Sequence, residues 1–149
     1  NESLGDRAMK ITAGNLKKLI NEHAHHQPMR KQTVTVDQHE VNCEIANTDA
    51  TRMQGLMNRD RLEQNTGMLF AFPWADQQSF WMRDTHIPLD VAFADIHGKI
   101  LNIETGNPLS EKKMLSQGPA MYVLEVPKGW FNLNGLGRGS VIDVHSINN

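Results

Sequence analysis

The stretch Thr33-Val-Thr-Val-Asp-Gln-His-Glu-Val-Asn-Cys-Glu-Ile45 decides the fold class. Thr33 to Val36 alternates polar and apolar residues. After a polar Asp37-Gln-His-Glu40, the alternation resumes at Val41, Cys43 and Ile45. Successive side chains of a strand point to opposite faces, so this period of two reads as a hairpin with one buried face. Cys43 falls on the apolar face and is expected to be a buried, inert thiol.

Downstream, Gly67–Phe72, Ser79–Met82 and Leu89–Phe93 read as three more strands. The first and last are nearly continuous apolar runs, as in strands covered on both sides. Pro73 is expected to end the first, and Pro88 marks the approach to the last. His97-Gly98 is a turn signal, followed by a partner strand at Lys99–Ile103. Ala120–Val126 is a further strand, and Ser140–Val144 is expected to close the sheet. Asn47-Thr-Asp-Ala50 offers caps for a short helix reaching about Met57. Pro127 can open another over Lys128–Leu133, with Gly135 as its stop. Residues 105–119 read as a long loop, and Gly135-Leu-Gly-Arg-Gly139 as a turn. The spacers are too short, or not helical enough, for a βαβ rhythm. The expected fold is therefore mainly β (a β-rich α+β class). It is a compact, largely antiparallel sheet curled into a barrel or sandwich, with two or three short helices.

Upstream the character changes. Residues 1–32 carry six Lys or Arg against three acids, a net +3, whereas residues 33–149 carry nine against fourteen, a net −5; the two sum to the −2 of the chain. Ala13, Leu16, Leu19, Ile20 and His23 recur at helical spacing between Thr12 and Ala24, and a polar linker with Pro28 follows. Residues 1–32 thus read as a basic amino-terminal arm with a short helix, and residues 33–149 as a single β-rich domain. The arm is the candidate element for docking a protein partner. The near-neutral balance leaves no basic footprint for nucleic acid. No run of about 18 apolar residues is present to span a membrane. A single cysteine excludes an internal disulfide.

Several blocks resemble one family in order and spacing. They are Arg52-Met-Gln-Gly-Leu-Met-Asn-Arg59, Gly67-Met-Leu-Phe-Ala-Phe-Pro73, the stretch from Ser79-Phe-Trp-Met to Asp90-Val-Ala-Phe93, and Gly118-Pro-Ala-Met-Tyr-Val-Leu-Glu-Val-Pro-Lys-Gly-Trp130. The chain resembles domain-of-unknown-function family 192 over roughly residues 33–145. That resemblance implies a compact, mainly β domain of bacteria and archaea, often behind an export signal, so a periplasmic or extracellular location is implied, although no signal peptide stands in this sequence. It implies no activity. The arm lies outside the match, and the loop at 105–117 carries Ser110-Glu-Lys-Lys113 and no cysteine.

Candidate site residues come from polar groups set among apolar ones. Asp90 lies between Leu89 and Val91, and Glu125 between Leu124 and Val126. A buried carboxylate is costly unless paired, so each requires a partner or a wet cleft. Arg52 and Arg83 lie beside apolar blocks, and arginine grips carboxylate or phosphate through two parallel hydrogen bonds. Trp81 could floor a pocket with Arg83, Asp84 and Thr85 at its rim, because loops on a rigid sheet tend to carry sites. Arg52, Trp81, Arg83, Asp84, Thr85, Asp90 and Glu125 thus form a candidate cleft for a small polar or anionic ligand. Three readings compete. One is a non-catalytic binding domain using that cleft. Another is a structural or interaction module docked through residues 1–32 onto an envelope or virus particle. The last is an enzyme with Asp90 or Glu125 as acid or base, or, more blandly, the same acids and arginines tie strands together. His23, His25 and His26 lack a fourth ligand, so no metal site is assigned. No nucleophile elbow or phosphate loop is present, so no catalytic residue and no cofactor is assigned.

Overall fold

The two halves of the opening hairpin are β1 (Lys31–Val36) and β2 (His39–Ala46), paired antiparallel so that Val34 faces Val41. Asp37 turns the chain with a positive φ of 52°, a conformation that aspartate tolerates. The structure, a computed structural model, describes residues 28–147. The expected helix at Thr12–Ala24 and the histidines at 23, 25 and 26 lie outside the described residues. β1 begins at Lys31, two residues ahead of the expected start of the body.

Helix α1 (Asp49–Gln54) follows where the capping residues stand. The Thr48 hydroxyl accepts from the Thr51 amide at 3.1 Å, and the Thr51 hydroxyl accepts from the Thr48 amide at 3.1 Å. Both orphan donors of the first turn are thereby met. The chain then crosses to β3 (Thr66–Asp76), which pairs parallel to β2. This departs from the expectation that no parallel crossover occurs. A helix of six residues is enough to carry the chain back when the connection runs from residue 47 to 65.

β3 also outlasts Pro73. Its register against β8 (Ala120–Pro127) slips between Ala71 and Asp76, and Pro73 sits inside that irregular stretch, where no ladder donor is required. The expected strand at Ser79–Met82 shortens to β4 (Ser79–Phe80). β4 pairs with β7 (Met114–Leu115), which lies inside the expected long loop. β5 (Leu89–Ala94) lies between β8 and β6 (Ile100–Gly106), antiparallel to both. Helix α2 (Trp130–Leu133) follows β8. The main sheet has six strands in the order β1-β2-β3-β8-β5-β6, and four of its five pairings are antiparallel. No described helix is long and apolar enough to cross a membrane.

The six strands do not close onto one another. Residues 139–143 span the gap between the two edges as irregular chain instead of the expected closing strand. On one side Ile142 N donates to Gly98 O and Ile100 N to Ser140 O, each at 2.8 Å. On the other, Asp37 N donates to Val141 O and Asp143 N to Thr35 O, also at 2.8 Å. Gly98 is required here, because its φ is +85° and a Cβ would lie 2.1 Å from Ile142 O. The result is a curled, sandwich-like β domain.

Period two divides the buried side chains between the sheet's faces. Val34, Val41, Cys43, Ile45, Leu69, Leu124 and Ala92 share the first face with Trp130, Phe131 and Ile142. Met68, Phe70, Val123, Val91 and Phe93 share the second with Leu56, Phe80, Met82 and Ile87. Phe80 is the hub of the second cluster, edge-on to Phe70 at 5.0 Å and to Phe93 at 5.8 Å. At close to 25 cal/mol per Å² of apolar surface removed from water, these two layers are the main stabilising term.

Candidate functional site

The seven residues read from the sequence do not meet in one cleft. Asp90 stands opposite Val126 across the β5–β8 ladder, on the first face. Its carboxylate is spent on the start of α2, accepting from Gly129 N at 3.2 Å and Phe131 N at 3.3 Å. Neither Arg52 nor Arg83, the two partners expected for it, pairs with it. Arg52, itself 5% exposed, donates to Ala71 O and to Asp49, each at 2.8 Å, and lies over the Phe72 ring. Arg83 stacks on Trp81, 5.4 Å from the ring centroid, with Glu111 at 3.9 Å. Glu125 is fully buried on the second face, between Met68 and Val91 in register. Asp90 and Glu125 therefore lie on opposite sides of the sheet.

Trp81, Arg83, Asp84 and Thr85 do stay together, at a junction of three turns. Asn58 N donates to Asp84 O at 2.8 Å, Leu109 N to Thr85 O at 2.9 Å and Met82 N to Ser110 O at 2.9 Å. Each turn holds one residue in the left-handed region: Asn58, Asp84 and Leu109. Thr85 is fully buried and donates to Arg83 O at 3.1 Å. This arrangement fixes the backbone around Met82 and Leu56 in the second cluster, with Trp81 nearly buried under Arg83. It is a surface knot of three turns.

A cavity does open elsewhere on the second face. A cleft of about 370 Å³ is lined by Lys31, Asn42, Glu44, Arg59, Arg61, Leu62, Glu63 and Thr66, with Cys43 and Gly67 in its floor. Pairing builds it from below. Lys31 stands opposite Glu44, Asn42 beside Thr66, and Glu44 beside Met68, so these side chains share a face. The crossover between α1 and β3 supplies Arg59, Arg61 and Leu62, and Leu62 packs on the second cluster. Gly67 lets β3 approach β8, since a Cβ there would lie 2.4 Å from Glu125 O.

The charges of this cleft are arranged in layers. Arg59 grips the Glu44 carboxylate through both terminal nitrogens, one of them at 3.0 Å. Both side chains are about one-fifth exposed. Lys31 and Arg61 make no ion pair among the described residues. Cys43 is buried, as the sequence implies: burial first, then the Glu44 charge, pushes its thiol up to about 12. Among the described residues no group of three metal-binding side chains comes together.

No signal in the sequence marks this cleft. Lys31 fell inside the expected linker. Glu44 belongs to the polar face of the hairpin, and Arg59 ends the block that opens at Arg52. Only the parallel return of the chain, which was not expected, places Arg59 and Arg61 over β2.

Two solved structures share the fold. A protein of Sinorhizobium meliloti 1021, provisionally assigned as a transcription regulator, superposes with a TM-score of 0.76 and is 31% identical, covering 80% of this chain and 97% of that one. A protein of unknown function from Novosphingobium aromaticivorans DSM 12444 superposes at 0.75 with 32% identity, covering 79% of this chain and 88% of that one. No protein of curated function matches the chain. A family match spans residues 32–144, from the first residues of β1 to the segment that bridges the sheet edges. With those strands, blocks and relatives in agreement, the chain belongs to DUF192, the family described as Uncharacterized ACR.

Proposed function

We propose that the domain is a non-catalytic binding module for a small anionic ligand, and that the ligand sits in the cleft between β2, the start of β3 and residues 59–63. One observation carries this reading: Lys31 and Arg61, two cations with no ion pair among the described residues, line a cleft of about 370 Å³. That volume is in the range of small-molecule sites. Three cations against Glu44 and Glu63 leave the lining at +1, which favours an anion. A DNA-directed role, suggested only by the provisional assignment of the Sinorhizobium relative, has less support. Residues 28–147 hold eleven Lys or Arg against fourteen acids, a net −3, which is unfavourable for a phosphate backbone.

The test is a titration with inorganic phosphate and with succinate, followed calorimetrically and by thermal shift. A ligand at a hundred times its Kd raises stability by about 2.7 kcal/mol, a shift of several degrees. Replacing both Lys31 and Arg61 with alanine is expected to weaken binding at least ~10-fold while leaving the melting temperature within about 2 °C, as for exposed surface charges. Failure of both anions to bind the parent, or equal binding by the double variant, would overturn the reading.

A further inference from the structure

The Glu44 carboxylate already occupies the best anion seat in the cleft. It lies flat against the Arg59 guanidinium, oxygen to nitrogen on both arms, at a depth where each side chain keeps about one-fifth of its exposure. Paired strands also put Lys31 across from Glu44 on the same face, so the seat stands between two cations. The guanidinium has unused capacity as well: among the described residues, the buried Arg59 Nε–H finds no hydrogen-bond partner. A planar fork of this kind takes an oxyanion through two parallel hydrogen bonds, and the one it holds here is a carboxylate.

We infer that the ligand of this cleft is a small carboxylate, and that it takes the seat on Arg59 that Glu44 fills here. The inference rests on the anion-cleft reading and adds to it a ligand class and a built-in competitor. Glu44 holds Arg59 in its productive orientation while the cleft is empty. An incoming carboxylate, drawn in by Lys31 and Arg61, exchanges with it. Glu44 then turns toward solvent, which its partial exposure permits. Ligand affinity is lowered by the strength of the internal pair, so the site responds only to a carboxylate that also engages the flanking cations. A dicarboxylate meets that requirement better than a monocarboxylate.

The probes are succinate and inorganic phosphate, titrated into the full chain. The parent is expected to bind succinate more tightly than phosphate, and the Glu44 side-chain carboxyl carbon is expected to shift on succinate binding in a carbon-detected spectrum. Glu44→Gln, which removes the charge and keeps the shape, is expected to tighten succinate binding up to about fivefold, the size of effect expected when a competing ion pair is removed. Arg59→Lys in the same background should abolish the gain, because an ammonium cannot form the fork. If the parent binds either anion while the Glu44 carbon stays still and Glu44→Gln leaves succinate affinity unchanged, the inference falls and the anion-cleft reading stands. If neither anion binds the parent or the variant, both fall together. Should Glu44→Gln fail to fold, the carbon shift in the parent decides alone.

Discussion

The two faces of the main sheet treat their buried charges differently. On the first face, aliphatic residues of β1, β2, β3, β8 and β5 meet Trp130 and Phe131, and the one acid among them, Asp90, is consumed by two backbone N–H groups of α2. On the second face, charged residues accumulate beside the apolar cluster: Arg52 on α1, Glu125 on β8, and the Glu44–Arg59 pair at the wall of an open cleft. In the first arrangement the carboxylate is met by backbone donors; the second borders the cleft. Sequence context does not separate the two, because Asp90 and Glu125 each stand between aliphatic neighbours. Register does: Val91, not Asp90, stands opposite Glu125. A shift of one residue along a strand moves a side chain to the other face.

If this division holds, damage to the first face should change stability and leave anion binding alone. The largest effect belongs to Trp130. It is fully buried, packs edge-on to Phe131 at 5.0 Å and donates its indole N–H to Asn65 at 3.0 Å. Trp130→Ala is expected to cost about 3–5 kcal/mol in urea denaturation, through lost burial and the cavity left behind. Succinate affinity of the protein that remains folded should be unchanged. A variant with parental stability, or one with altered affinity at constant stability, would break the comparison.

A smaller effect is expected from Asp90→Ala. The change strips the acceptor from Gly129 N and Phe131 N, and the Phe131 amide is buried with it. Loss of a helix cap, with a buried donor left unmet, corresponds to about 2 kcal/mol. Were Asp90 part of a ligand site instead, stability would hold or rise while anion affinity fell. Measuring both quantities on one variant separates the two roles.

Local patterning carried much of this fold into view. The hairpin, the Thr48 cap and the turn at His97-Gly98 rest on short-range rules, and each stands where those rules put it; the helix expected over Lys128–Leu133 begins at Trp130, because Pro127 still belongs to β8 and Gly129 takes the N-cap position. What was not legible depends on partners distant in sequence. Pro73 stays within β3 because the register slips there. β7 exists only because β4 lies beside it. The parallel pairing of β2 with β3 is the costliest omission, since it carries Arg59 over Glu44. The candidate acids stand between aliphatic neighbours along the chain, whereas their partners are set by neighbours across the sheet.

The smallest effect tests the seam between the two faces. The Cys43 side chain belongs to the first cluster, yet Cys43 also lines the cleft. Burial, then the Glu44 charge, raises its thiol to about 12. A group whose pKa is raised by folding holds its proton more tightly in the folded state than in the unfolded chain. Its stabilising contribution is complete below the unfolded value, near 9.0, and declines as pH rises from there toward 12. Between pH 9 and 10 the decline approaches 1 kcal/mol, since one pH unit of unequal protonation is worth about 1.4 kcal/mol. The check compares urea midpoints of parent and Cys43→Ala at pH 8 and pH 10. Cys43→Ala loses packing at both pH values, but only the parent should carry the extra alkaline loss, so the gap between the two should narrow at pH 10. Alkylation by iodoacetamide at pH 8 should be slow in the folded parent and fast in urea. Rapid alkylation of the folded protein would mean that the thiol opens into the cleft, and that the floor between the faces is not the rigid partition the comparison requires.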